Sequence, residues 1–196
     1  MLFFMKDSRF DIATEKANRV IRLMNLGENK QLDTSELVDV VSKETGTVIE
    51  VRETDFCKII ENCHYGAMMC VNKSNDTQSA FIVLNSNEKI DDKFRKFSLV
   101  HELGHLMTGR YNISVDQNNY TLSTHIDYQF NKIKEDDYKD NTYLLNEEIA
   151  NIFALRVLLP FDALVKKMNN DFDLKRISEY FGVSENAVLA RLRLGE

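Results

Sequence analysis

A chain of 196 residues has room for one well-buried core and an extension, and not for two full catalytic domains. The 43% hydrophobic share, the 29% charged share and a single proline exclude a disordered or fibrous chain and point to a helix-rich globular one. A formal charge of −6 opposes a phosphate backbone, so nucleic acid is a poor first partner.

Cys57, Cys63 and Cys70 are odd in number and not spaced as a disulfide framework, which fits a reducing compartment. The opening "MLFFMKDSRF" has too short an apolar run for a signal peptide, and no uncharged apolar stretch approaches the roughly 18 residues of a membrane span. These features predict a cytosolic protein.

Residues 11 to 25 carry Ile12, Ala17, Val20, Ile21 and Met24 at helical spacing, with Gly27 where such a helix would stop. A second helix is expected from Ser35 to Lys43, capped by Asp33 or Thr34. The β-branched "GTVIEVRE" at 46 to 53 reads as a strand. "GAMMCVN" at 66 to 72 and "SAFIVLN" at 79 to 85 flank a turn-rich "KSNDTQ" and suggest a hairpin. From Asp91 to Thr108 the pattern is apolar on nearly every side, so this helix belongs in the middle of the fold. Residues 112 to 143 are polar, acidic on balance and without strong period, and read as a long loop or insertion. A helix is then expected from about Tyr143 to Leu159, ended by Pro160, and three short helices around Gly182 fill 161 to 196.

The chemistry concentrates in "SLVHELGHLMTG", residues 98 to 109. Residues four apart on a helix differ by about 40° in azimuth and about 6 Å along the axis, so His101 and His105 can grip one ion. Glu102 stands about 100° round, where a carboxylate serves as general base toward a water on the metal rather than as a third ligand. Zinc is the expected ion, since it brings the pKa of its water to about 7. The alternative, two satisfied core histidines, fits less well with their common row and with Gly104, which costs the helix about 1 kcal/mol against alanine. That glycine is expected to admit another backbone or a substrate.

A catalytic zinc usually has three protein ligands and an open position. "NEEIANIFALRVLLP" offers Glu147 and Glu148. Glu147 shares a face with Ala150, Asn151 and Ala154, which would let this helix lie close to the histidine helix, with Asn151 a supporting hydrogen-bond partner. Glu148 shares the row of Ile152, Leu155 and Leu159, and a glutamate near a helix start can also serve only the helix dipole. The pattern favours Glu147 and leaves Glu148 as the alternative.

"FRKFSLVHELGHLM" followed by "EEIANIFALRVLLP" resembles the ImmA/IrrE metallopeptidases, and the resemblance extends to "TVIEVRE", "AFIVLN" and the closing "ISEYFGVSENAVLARL". It implies an α+β, zincin-like metallopeptidase domain over residues 1–165, with a short mixed or antiparallel sheet, a central HExxH helix and an acidic insertion at 112–143. A helical, helix-turn-helix-like extension follows at 166–196. It implies His101, His105 and Glu147 as Zn2+ ligands, Glu102 as general base, and the 79 to 85 strand as the sheet edge beside the active site. The usual activity of the family is cleavage of a helix-turn-helix repressor that silences a mobile element or a stress response. The chain departs from the family in the 41 residues between His105 and Glu147, a longer interval than is common.

Tyr120, His125 and Tyr128 in that interval are candidates for oxyanion or substrate contact. The tail has helix-turn-helix spacing with Ser184 as a cap, but four basic and five acidic side chains between Asp171 and Glu196 lack the footprint of a groove binder. Two functions follow: a cytosolic zinc endopeptidase acting on a repressor, or a non-proteolytic module with a structural zinc that sequesters one. An intact Glu102 favours the first.

Overall fold

The computed structural model describes residues 10–27, 31–55, 58, 66–73, 77–110, 120–124, 142–170 and 173–195. The fold is α+β. In chain order the elements are α1 (Asp11–Leu23), α2 (Thr34–Thr45), β1 (Thr47–Thr54), β2 (Ala67–Lys73), β3 (Gln78–Asn85), α3 (Asp92–Thr108), β4 (Tyr120–Thr124), α4 (Thr142–Leu158), α5 (Phe161–Asn170), α6 (Leu174–Phe181) and α7 (Glu185–Leu194). The helix starts follow local chemistry. Asp33, Asp91, Asp173 and Ser184 each accept a hydrogen bond from a main-chain N–H in the first turn that follows, satisfying donors that the helix itself leaves open.

The sheet is mixed, in the order β1-β3-β2-β4: β1 runs parallel to β3, while β2 runs antiparallel to both β3 and β4. Two expectations are corrected here. The 79 to 85 strand is not an edge, because β3 pairs with β1 on one side and β2 on the other. The interval 112 to 143 is not all loop, because Tyr120–Thr124 forms β4 at the end of the sheet, with Met69 opposite Ser123. A five-residue strand in a polar segment has little local signal; its pairing with β2 is a long-range fact.

α3 is the hub and packs against α4, α1, α2, β2 and β3. Every residue from Phe97 to Thr108 is buried, which is why its sequence is apolar on all sides. α4 is buried along most of its length as well. The 165/166 boundary falls inside α5, and α7 packs on α4, so Ile177, Phe181, Val183 and Val188 join the same core as Val100, Leu103 and Phe153. Among the described residues, no helix is long and apolar enough to cross a membrane.

Candidate metal centre

α3 and α4 meet where Gly104 faces Ala150 and Phe153. A Cβ at Gly104 would stand 2.9 Å from a Phe153 ring carbon and 3.2 Å from the Ala150 carbonyl oxygen, so the glycine sets how closely the helices approach. That approach carries Glu147 and Asn151 of α4 to the histidines of α3. His101, Glu102, His105 and Asn151 are fully buried, and Glu147 is 4% exposed.

Ligand atoms of His101, His105 and Glu147 lie within 4.8 Å of one another. His101 Nε2 is 3.0 Å from His105 Nε2, and the Glu147 carboxylate reaches them at 3.2 Å and 3.4 Å. Both outer nitrogens have polar partners. His105 Nδ1 is 2.6 Å from the Arg110 carbonyl oxygen, which can only accept, so Nδ1 carries the hydrogen. His101 Nδ1 is hydrogen-bonded to the Asn151 side-chain amide at 2.9 Å. With Nδ1 engaged in this way, each imidazole turns its Nε2 toward the other ring and toward the Glu147 carboxylate.

Three electron-rich groups at one dry point need a positive charge between them, either a proton or a metal ion. The electrostatics say the same. Burial alone would raise the Glu147 carboxyl, but hydrogen bonds and charge from His101 and His105 hold it far below the usual carboxylate range. Burial alone would lower His105, yet the Glu147 hydrogen bond and the charges of Glu102 and Glu147 leave it raised. The donor set fits zinc, since two ligands about 2.0–2.1 Å from a tetrahedral ion stand roughly 3.3 Å apart.

Glu148 is not part of this group. It is half-buried, burial raises its carboxyl pKa, and the neighbouring Asn151 partly offsets that rise. Because α4 begins at Thr142, both glutamates sit beyond its first turn, where the helix dipole has faded. Tyr120 is in β4 opposite Asn72, its side chain outside the described set, as are His125 and Tyr128 altogether.

Sequence reasoning missed Gly109. Its φ of 65° lets the chain turn back at the end of α3, with Gly109 N–H bonding the Leu106 carbonyl and Arg110 N–H the His105 carbonyl, the Schellman pairing. That turn delivers the Arg110 carbonyl to His105 Nδ1. The signal was present, since a glycine directly after an apolar helix predicts a left-handed cap.

A buried His-x-x-x-His pair on one helix with a glutamate from the next is the donor arrangement of a gluzincin-like metallopeptidase. The family model of the IrrE N-terminal-like domain, a peptidase family, matches residues 60–193, and the chain belongs to that family. Among solved structures, a Mycobacterium tuberculosis transcriptional regulator is similar at 12% identity and a TM-score of 0.48, over 93% of this chain and 46% of that one. The chain thus spans less than half of that structure's length. No curated protein matches the chain.

Proposed function

We propose that the protein is a zinc-dependent endopeptidase in which His101, His105 and Glu147 hold the ion and Glu102 is the general base. The observation that carries this reading is the pair of histidine Nε2 atoms 3.0 Å apart facing the Glu147 carboxylate. When bound there, zinc would polarise the scissile carbonyl and make its water acidic near neutral pH. Glu102, next to His101 and fully buried, takes the proton from the attacking water and returns it to the leaving amine. Asn151 and the Arg110 carbonyl hold both imidazoles in the tautomer that leaves Nε2 free to ligate.

The substrate in this reading is a cytosolic helix-turn-helix repressor. An extended segment of it would add to the free side of β4, which among the described residues pairs only with β2. The reading gives α6 and α7 a supporting role rather than a DNA-binding one. Arg191 is 1% exposed, and α7 presents Glu185, Asn186, Leu189 and Arg193 outward, a face with no excess of positive charge.

The test is cleavage of the repressor encoded nearest the gene by the zinc-loaded protein, with Glu102→Gln alongside. A cut that depends on Glu102 supports the peptidase and identifies its substrate. Stable association with zinc bound and no cut would transfer the assignment to a sequestering module.

A further inference from the structure

Which end of the Asn151 amide faces His101 decides what that ring can do. With the oxygen toward Nδ1, the ring donates through Nδ1 and keeps Nε2 for a ligand bond. With the NH2 group there, Nδ1 must accept, and the hydrogen moves to Nε2, where it blocks a metal. An amide has nearly the same shape in either orientation, so the choice falls to whatever stands at its other end.

Oδ1 is the atom 2.9 Å from His101 Nδ1, and Nδ2, at the far end of the amide, is shut off from solvent without a hydrogen-bond partner. Glu148 precedes Asn151 by three positions on α4, a spacing that makes the two side chains neighbours on the helix surface. Its Oε2 is likewise shut off from solvent and without a hydrogen-bond partner. A covered donor and a covered acceptor thus stand open on adjoining side chains, and a small rotation of either joins them. The influence of Asn151 on the Glu148 carboxyl already has the direction of an N–H donor, since it lowers a pKa that burial raises.

A carboxylate can only accept. Turning the amide over would set Oδ1 against it, two acceptors under cover, and would leave the NH2 group on His101. A glutamate that served only the helix dipole would not explain this place, beyond the first turn of α4 and with one oxygen covered.

We propose that Glu148 is a positioning residue for the metal centre: by accepting from Asn151 Nδ2 it fixes the amide with Oδ1 on His101 Nδ1, and so reserves His101 Nε2 for the ion. This rests on the reading of His101, His105 and Glu147 as zinc ligands. It makes an acceptor, rather than a charge, the property that position 148 requires.

Chelator-competition titration of the full chain gives the zinc affinity of the wild type, Glu148→Gln and Glu148→Leu. Exchange of the His101 Nδ1 hydrogen in the zinc-loaded proteins, read by NMR on isotope-labelled histidine, reports its hydrogen bond to Asn151. Glutamine still offers an acceptor, so Glu148→Gln should match the wild type in both measurements. Glu148→Leu should bind zinc about tenfold more weakly and exchange that hydrogen faster. If leucine prevents folding, Glu148→Ala takes its place. Adding Asn151→Asp to either variant should restore the affinity, because a carboxylate accepts at both oxygens and needs no neighbour to turn it. A side chain that only shaped the helix would not be rescued in this way, so absence of rescue counts against the proposal. Wild-type affinity and exchange in Glu148→Leu would overturn it while leaving the zinc ligands in place, as would equal weakening in Glu148→Gln. No zinc bound by the wild type would overturn the metal reading and this proposal together.

Discussion

The two ends of α4 handle buried charge in opposite ways. Toward its N-terminal half, Glu147 is an anion enclosed by two histidines, with Gly104 letting the neighbouring helix close over it. At its C-terminal turn, Arg156 and, from α7, Arg191 are buried cations lining one pocket, and burial lowers both guanidiniums. The first end gathers three ligand groups around one point and suits a cation; the second places two like charges near each other under cover. One helix thus buries charged groups of both signs, and what each end can do is read from the groups gathered there rather than from burial alone.

The largest change should come from breaking the acidic end. His101→Ala is expected to lose the metal and all peptidase activity, while Glu102→Gln keeps the metal and loses about 10²–10⁴-fold in kcat. Metal analysis with single-turnover kinetics separates the two; equal metal loss in both variants would contradict the division between ligand and base. Asn151→Ala leaves every ligand in place but frees the His101 ring, and should weaken zinc affinity about 10–100-fold in a competition titration with a chelator. Unchanged affinity would reduce Asn151 to a packing residue.

Gly104→Ala probes the closure of α3 over Glu147. The added methyl meets Phe153 and the Ala150 carbonyl, so α3 and α4 must separate, at a cost of about 1–3 kcal/mol of stability, measured by denaturant unfolding. If stability instead rises by the usual helix-propensity gain, the interface has slack that the distances do not suggest.

Much of the acidic end was legible in the sequence because helices write their neighbours into a short period. His101, Glu102 and His105 need only one helix, and the small residues beside Glu147 mark the face that approaches another. The arginine end was not legible. Arg191 stands among the basic side chains of a helix-turn-helix pattern and reads as solvent-facing, and only the packing of α7 on α4 turns it inward. The sheet order was hidden for the same reason. The alternation in β3 specifies a strand with one buried face, Ala80 and Ile82 inward and Phe81 outward, but not which strands lie beside it. β1 pairs with β3 across an intervening strand, and β4 joins from beyond α3. Such pairings depend on closure of distant segments and leave no local trace.

The smallest expected effect sharpens the distinction between the two adjacent glutamates of α4. Burial raises the Glu148 carboxyl pKa above its ordinary 4.5, and the nearby Asn151 amide offsets only part of that rise. Its folded-state pKa therefore exceeds its unfolded one. The wild type carries no penalty from this group below the unfolded value and loses stability as pH rises through the folded value. The amide introduced by Glu148→Gln never ionises, so the variant should equal the wild type near pH 4 and surpass it at pH 7 to 8 by a small margin in Tm. Taking the difference between the two proteins cancels every other titrating group, the metal centre included. Metal content should remain at the wild-type level, which separates this residue from Glu147. A gain that persists unchanged at pH 4 would mean that shape or amide hydrogen bonding, not the carboxylate charge, sets the cost. A loss of metal would mean that Glu148, not Glu147 alone, helps hold the ion.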